Sequence, residues 1–101
     1  MESVGLWVML RAKAGKDGEL AQFLKSAASL VEEEEPGTIS WYAVKIGPST
    51  FGIFDTFEDE DGRKAHLAGT IAAELMARAP DLLVEPPSIQ KIDLLAVKRA
   101  K

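Results

Sequence analysis

The chain has 101 residues, of which 47% are hydrophobic and 28% are charged, and its formal net charge is −4. This length and composition indicate one small globular domain over residues 1–101, and not a disordered segment. The acidic balance argues against a nucleic-acid partner, because no basic stripe is available to displace phosphate counterions.

The absence of cysteine removes several kinds of site at once. Disulfides, thiolate metal sites, iron–sulfur clusters and a cysteine nucleophile are excluded, and the cytosol becomes the expected compartment. His66 is the single histidine, so a multi-histidine metal site within one chain is excluded as well. No signal-peptide pattern, membrane-length apolar run or glycine-rich phosphate loop is seen, so we expect a cytoplasmic protein without membrane contact, nucleotide cofactor or metal.

The first third of the chain predicts a strand followed by a helix. Residues 4–12 are rich in strand-forming residues, and Asp17 is placed to cap the helix that follows. This helix carries an apolar stripe of the 3.6-residue period, made of Leu20, Phe23, Leu24, Ala27 and Val31. It ends at Pro36, because proline disfavours the helical conformation of Glu35.

The middle of the chain predicts a β-hairpin. Residues 38–46 and 50–57 are β-rich runs, and Gly47, Pro48 and Ser49 between them form a connection short enough for a hairpin. Asp59 is then placed to cap a second helix that runs to about Ala68.

The last third predicts a short helix and a final strand. Gly69 breaks the second helix, Thr70 is placed to cap a third helix that stops before Pro80, and residues 88–98 form the last strand before a basic tail over residues 99–101. The order β-α-β-β-α-β with one extra helix predicts an α+β ferredoxin-like fold, with one antiparallel sheet and helices on one face.

The predicted strands carry apolar residues on both faces of the sheet. An antiparallel sheet with one wet face alternates apolar and polar residues. In the first strand, however, Leu6 and Val8 point to one face while Trp7 and Met9 point to the other. Two helices cover one face, and the other needs a partner, for which a second copy about a two-fold axis is the simplest choice. We therefore predict an obligate homodimer through the second sheet face.

Residues 35–69 read EPGTISWYAVKIGPSTFGIFDTFEDEDGRKAHLAG. They contain an EPG turn at Glu35–Gly37, a hairpin, an acidic residue late in the third strand at Asp55, and an A-H-L helix around His66. In these features, and in the order of its elements over nearly the whole chain, the sequence resembles the antibiotic biosynthesis monooxygenase family. The resemblance implies a single domain of this type that forms a dimeric α+β barrel.

The resemblance also implies a range of functions. Members include enzymes that oxidise quinols and polyketide anthrones without a cofactor, and enzymes that degrade haem. The haem-degrading members carry Asn, Trp and His at positions that fall near Val8, His66 and Met76 here, and none of the three matches. Haem turnover is therefore disfavoured, although His66 alone remains an iron ligand in principle. The same register implies that His66 faces a pocket between the helices and the sheet, whereas Ile71 stands near the place of a second histidine that many members have.

His66 is the candidate catalytic base. A cofactor-free oxygenase must bind an electron-rich phenol or hydroquinone, remove a proton and hold the anion beside O2, and the base should have a pKa near the working pH. The ordinary pKa of histidine, about 6.5, suits this task. A core or helix-surface histidine with a satisfied hydrogen bond is the plainer alternative. Asp55 either orients His66 or a substrate hydroxyl, or pairs with Lys45 or Arg63.

Aromatic and apolar residues complete the candidate site. Trp41 and Tyr42 point to opposite faces because strand side chains alternate, so one should line the pocket and the other the dimer interface. Tyr42 is also a candidate hydrogen-bond donor to a developing oxyanion. The apolar wall is assigned to Phe23, Phe54, Met76 and Val8, although residues of these types more often belong to an ordinary core.

The acid run over residues 32–35 is interpreted as structural. Residues 32–34 end the first helix and are either solvated or paired with distant basic residues, and Glu35 belongs to the turn. The leading hypothesis is a monooxygenase that oxidises an aromatic, hydroquinone or polyketide-like molecule with O2, with His66, Asp55 and Tyr42 as its catalytic residues. A non-catalytic dimeric module that binds a hydrophobic small molecule, and a haem-binding protein that uses His66, are the alternatives.

Overall fold

The computed structural model describes residues 1–100, and Lys101, the last residue of the expected basic tail, lies outside that range. Its elements in chain order are β1 (Val4–Arg11), α1 (Asp17–Glu34), β2 (Thr38–Lys45), β3 (Thr50–Phe57), α2 (Glu60–Leu67), α3 (Thr70–Leu82) and β4 (Ser88–Asp93). The strands form one antiparallel sheet in the order β2-β3-β1-β4. The predicted α+β ferredoxin-like fold is confirmed.

Helix α1 packs against the sheet through the apolar stripe seen in its sequence. Its buried residues are Leu20, Leu24, Ala27 and Val31. The helix begins at Asp17 with Lys16 as the capping residue, so the cap was predicted one position too late. The reason is a backbone hydrogen bond of 3.0 Å from Leu20 to the carbonyl of Lys16, which adds one residue to the first turn. The helix ends at Glu34, just before the Glu35–Pro36 pair, as predicted.

The caps of the two later helices differ in how well the sequence predicts them. Asp59 caps α2 as expected, and its carboxylate accepts a hydrogen bond of 3.1 Å from the backbone N–H of Gly62. At α3, Gly69 occupies the capping position and Thr70 is the first helical residue, with no side-chain cap. The prediction that Thr70 caps this helix is therefore wrong by one position.

Helix α3 runs through Pro80 to Leu82, so the prediction that it stops before Pro80 is wrong. Proline lacks the N–H that a helix needs and disfavours the helical conformation of the residue before it. Ala79 and Leu82 are nevertheless buried in the core. Lys13 also donates hydrogen bonds of 2.6 and 2.8 Å to the carbonyls of Pro80 and Leu82. Tertiary contacts outweigh the local preference in this last turn.

Strand β4 ends at Asp93, five residues before the predicted end at position 98. In the sheet, Asp93 pairs with Val4, which is the first residue of β1. A longer β4 would extend past the start of its neighbour and find no strand to pair with. After Leu94, whose N–H bonds to the carbonyl of Ser3 at 2.9 Å, the chain leaves the sheet.

The sheet has one face covered by the helices and one open face. Leu6, Val8 and Leu10 of β1 lie on the covered face and are buried. The open face carries Trp7, Met9, Tyr42, Val44, Phe54 and Ile92. The rings of Tyr42 and Phe54 stack there at 6.2 Å, and Tyr42 is 55% exposed in the single chain. A Cβ at position 52 would lie 2.6 Å from the indole of Trp7, so Gly52 makes room for that ring.

Among residues 1–100, no helix is both long enough and apolar enough to cross a membrane.

Candidate active site

An apolar cavity of about 180 Å³ lies between the helices and the covered face of the sheet. The strands contribute Leu6, Val8, Trp41, Ile53 and Ile89 to its wall, and the helices contribute Phe23, Leu24, Ile71, Leu75 and Met76 among others. Among the lining residues that the structure describes, Asp55 and His66 are the two with titratable side chains. A cavity with this wall has the shape and apolar character of a site for a small apolar molecule that carries a polar group.

His66 lies between two carboxylates at one side of this cavity. Its Nε2 atom is 2.9 Å from Oδ2 of Asp55, and its Nδ1 atom contacts Oε1 of Glu35. The exposed fractions of the three side chains are only 0% for Asp55, 9% for His66 and 10% for Glu35. Buried carboxylates require compensating charge or hydrogen bonds. The three groups therefore act as one unit, which we call the Glu35–His66–Asp55 cluster.

Two glycines bring Glu35 to His66. Gly37 closes the turn after α1, and Gly62 lies in the first half of α2. A Cβ on Gly62 would be 3.0 Å from the carbonyl oxygen of Gly37, so the turn and the helix touch through their backbones. His66 follows Gly62 by about one helical turn, which places the imidazole against Glu35. The hydroxyl of Thr38 donates a hydrogen bond of 3.1 Å to Oε1 of Glu35 and holds it there.

The charge state of His66 is set by the two carboxylates. Burial by itself lowers the pKa of His66, because the imidazolium loses hydration. The hydrogen bonds and negative charges of Asp55 and Glu35 outweigh that effect and hold the pKa above its ordinary value of 6.5. The folded chain therefore holds the proton of His66 more tightly than an ordinary histidine would.

On each carboxylate of the cluster, the oxygen that does not contact His66 has no hydrogen-bond partner among the described residues. These atoms are Oδ1 of Asp55 and Oε2 of Glu35, and both are buried. Oδ2 of Asp55 has only its ion-pair contact with His66. Buried polar atoms without partners are uncommon in folded proteins. Asp55 lines the apolar cavity, and its Oδ1 is the carboxylate oxygen that does not contact His66.

A second cavity, of about 240 Å³, lies on the far side of His66 beside the EPG turn. Its wall is more polar than that of the first and includes Glu34, Glu35, Thr38, His66 and Thr70. Pro36, Ala65 and Thr70 at its rim are exposed to solvent. The imidazole of His66 therefore lies between the apolar cavity, which Asp55 lines, and the more polar second cavity, which Glu35 lines.

Comparison with solved structures places the chain in a family. The crystal structure of NE2512, a protein of unknown function from Nitrosomonas europaea, is 53% identical over 100% of this chain and 97% of that chain, with a TM-score of 0.94. The chain belongs to the NE2512 family. No protein-family model matches the chain, and no curated protein does so either.

The fold of the NE2512 family is that of the antibiotic biosynthesis monooxygenases. A structure from Deinococcus radiodurans that carries this name provisionally has a TM-score of 0.82 at 19% identity, over 97% of this chain and 98% of that chain. Another from Caulobacter crescentus, with the same provisional name, has a TM-score of 0.81 at 16% identity, over 94% and 92% of the two chains. The resemblance drawn from the EPG turn, the hairpin and the A-H-L helix is confirmed for the fold.

The structure brings most of the sequence-predicted site residues of this NE2512-family chain to one cavity. His66 and Asp55 lie on its wall with Trp41, Phe23, Met76 and Val8. Tyr42 and Phe54 do not, because both lie on the open face of the sheet. Their assignment to the same pocket is therefore wrong within one chain. Strand alternation decides this, since Tyr42 and Phe54 pair with each other one position away from Trp41 and Asp55.

Two charged residues have roles that the sequence did not reveal. Glu35, assigned to the turn, is buried in the cluster; an acid directly before Pro-Gly was the only sequence signal for it. Arg63, a charged residue of α2, is only 6% exposed. It pairs with Glu60 and donates hydrogen bonds to the carbonyls of Gly5 and Ile92 at 3.1 and 3.3 Å.

Neither Arg63 nor Lys45 pairs with Asp55, so the predicted alternative of an ion pair between Asp55 and one of them is wrong.

Among residues 1–100 no three or more histidine, cysteine or acidic side chains converge on a point where they would hold a metal ion. The Glu35–His66–Asp55 cluster does not meet this condition, because the imidazole stands between its two carboxylates.

Proposed function

We propose that the protein is a cofactor-independent monooxygenase that oxidises a small phenol or hydroquinone with O2. The observation that carries this proposal is an apolar cavity whose wall holds one buried acid–base cluster. The apolar wall suits an aromatic ring, and the ring hydroxyl would donate to Oδ1 of Asp55. The provisional names of the Deinococcus and Caulobacter structures support the same class of reaction.

The size of the cavity favours a substrate with one aromatic ring. Its volume is about 180 Å³, and a cavity of about 150 Å³ holds one benzene molecule. The three fused rings of an anthrone need a much larger space. Within the classes expected from the sequence, single-ring phenols and hydroquinones therefore fit better than polyketide-like molecules.

The proposed reaction begins with the hydroxyl proton, which Asp55 and His66 accept as the substrate O–H bond breaks. An electron-rich ring carbon that carries hydrogen, ortho or para to the oxygen, then donates an electron pair to O2 and forms a C–O bond. A proton then reaches the distal peroxide oxygen through the same cluster. Loss of the hydrogen on that ring carbon as a proton, with cleavage of the O–O bond, releases water and leaves a carbonyl. In sum, a phenol and O2 give a quinone and water.

The base in this proposed reaction is the Asp55–His66 pair and not His66 alone. Both ring nitrogens of His66 face carboxylates, so neither points freely at a substrate. The cluster can accept a proton only after the imidazolium of His66 has lost one. Because the pKa of His66 is raised, this deprotonation has its midpoint above pH 6.5. Apolar walls exclude water from the anion and from the peroxide that follows.

We also propose that the protein is a homodimer through the open face, in the cytosol. Trp7, Phe54 and the half-exposed Tyr42 form an aromatic surface there that a second copy would cover. Tyr42 then belongs to the interface, and its earlier assignment as an oxyanion donor has no support from its position. The cytosolic setting rests on the absence of cysteine.

Two alternatives differ from this proposal in what they predict. A non-catalytic module would bind the same aromatic molecules without consuming O2. A haem protein would need a free nitrogen on His66, and the contacts of both ring nitrogens with carboxylates disfavour that role.

The test is O2 uptake and quinone formation with phenols and hydroquinones of one, two and three rings. The wild-type protein is compared with Asp55→Asn and His66→Ala, and with Glu33→Gln as a control, because Glu33 is an exposed acid of α1 away from the cavity. We expect turnover of single-ring substrates that both site variants lose by about 10²-fold or more. Uptake at the background rate for the whole panel favours the binding module. A Soret band on haem titration that His66→Ala abolishes favours the haem protein.

A further inference from the structure

We propose that Glu35 is the proton exit of this site, so that the Glu35–His66–Asp55 cluster relays a proton from the apolar cavity to the second cavity beside the EPG turn. The source of the proton rests on the proposed function, whereas the path rests on the geometry alone. Glu35 would act through His66 and would not touch the substrate.

The path follows from where the three groups stand. Asp55 lines the apolar cavity, Glu35 lines the second cavity, and His66 lines both. Oδ2 of Asp55 is 2.9 Å from Nε2 of His66, and Oε1 of Glu35 contacts Nδ1 on the other side of the ring. Each heavy-atom pair is within the distance over which a proton moves between neighbours. An imidazole can receive a proton at one nitrogen and release one at the other.

The need for an exit follows from the wall of the apolar cavity. Apart from the cluster, no titratable side chain among its described lining residues would accept the proton of a bound phenol. A ring that fills the cavity also displaces any water path through it. On the other side, Glu35 lines a cavity whose rim is exposed, and its buried Oε2 has no partner among the described residues.

The charged groups that face His66 come from three elements. Asp55 is on β3, Glu35 follows α1, and Glu34 lies at the wall of the second cavity. On α2 itself, the guanidinium of Arg63 is turned to Glu60 and to the carbonyls of Gly5 and Ile92. The aromatic neighbour is Phe57, whose ring centroid is 5.4 Å from that of His66.

The proton transfer balances in three moves. The substrate O–H bond breaks and the proton passes to the carboxylate of Asp55. From there it moves to Nε2 of a neutral His66, which becomes imidazolium. The Nδ1–H bond then breaks towards Glu35, whose carboxyl group gives the proton to water in the second cavity. The cluster returns to its starting charge, the reverse moves later deliver the proton that the peroxide takes up, and no oxidant or reductant takes part.

A substrate-free measurement tests the path. Because His66 is the single histidine, its ring N–H signals are unambiguous in protein labelled with 15N-histidine. Magnetisation transfer from water measures how fast these protons exchange. We expect the exchange rate to fall by about tenfold or more in Glu35→Gln, since a positioned acid–base group speeds proton transfer by at least about 10²-fold. Exchange in the control Glu33→Gln should equal that of the wild type. Equal exchange in Glu35→Gln and wild type overturns the relay.

A second variant covers the case in which Glu35→Gln does not fold. In Glu35→Ala, formate should fit the vacated space and restore fast exchange, whereas chloride should not. If formate leaves the exchange rate unchanged, the relay is overturned, because the carboxylate of Glu35 then has only a structural role.

Turnover then separates the relay from the proposed function. We expect kcat on a single-ring phenol to fall by about 10²-fold in Glu35→Gln with little change in KM, because the cavity walls are unaltered. If exchange depends on Glu35 but the wild type oxidises nothing in the panel, the relay stands and the proposed function falls. If the wild type turns over and neither exchange nor kcat depends on Glu35, the relay falls and the proposed function stands.

Discussion

Raising the pH from about 6 to about 9 should destabilise the folded chain through the single group His66. Although burial opposes it, the contacts with Asp55 and Glu35 hold the pKa of His66 above 6.5 in the folded state. A group whose pKa is higher in the folded than in the unfolded chain binds its proton more tightly when folded. Its stabilising contribution is therefore complete below about pH 6.5 and disappears as the pH rises through the folded pKa.

The size of the effect follows from the release of one proton. Between the unfolded and folded pKa values, the free energy of unfolding should fall by up to about 1.4 kcal/mol per pH unit. A domain of this size unfolds with about 5 to 15 kcal/mol, so even one such unit is measurable. Few other groups titrate between about pH 6 and about pH 9, because the chain has one histidine and no cysteine. The α-amino group, with an ordinary pKa of about 7.7 to 8.0, is removed by acetylation.

Urea unfolding of the acetylated protein at closely spaced pH values measures this slope. Protein concentration is held constant, because the proposed dimer would make the apparent stability depend on it. His66→Gln should give a flat profile, and Glu35→Gln a shallower decline than the wild type, because one of the two carboxylates is gone. A flat wild-type profile, or a decline that persists in His66→Gln, would refute the reasoning.

Three further predictions concern the parts that hold the site together. Gly62→Ala should give no net stabilisation, although alanine favours a helix by about 1 kcal/mol, because its Cβ meets the carbonyl of Gly37 at 3.0 Å. The His66 pKa, measured by NMR, should move towards 6.5, and an unchanged pKa contradicts the role of this contact. Tyr42→Asp should convert the dimer to a monomer in light scattering, because a charge would be buried at the open face, and a persistent dimer places the interface elsewhere. Ala27→Leu should fill part of the apolar cavity and raise KM for a single-ring phenol with little loss of stability. An unchanged KM argues that the substrate does not bind there.

The sequence predicted those elements whose signals are local. The hairpin over β2 and β3 follows from three turn residues between two β-rich runs, and α1 follows from its stripe and from Pro36 at its end. The ends of α3 and β4 were wrong because distant parts of the chain set them. Buried Leu82 and the hydrogen bonds from Lys13 carry α3 through Pro80, while the start of β1 limits β4.

The site was predictable only in part for the same reason. His66 and Asp55 stood out because a lone histidine and an acid in an apolar strand are unusual. Glu35 did not stand out, since its partner is 31 residues away and the contact depends on two glycine backbones that touch. Trp41 and Tyr42 were known to face opposite sides, but choosing between them required the register of β2 against β3.

The pH dependence of kcat/KM tests the central claim most directly, since it reports the pKa values of the acid and base groups that the free enzyme needs for reaction. Quinone formation is measured between about pH 6 and about pH 9 with a single-ring phenol that stays protonated over this range. Our account predicts an ascending limb whose pKa lies above 6.5 and equals the pKa of His66 measured by NMR on the same protein. A profile without this limb, or a limb that remains in His66→Gln, contradicts a catalytic role for the Glu35–His66–Asp55 cluster.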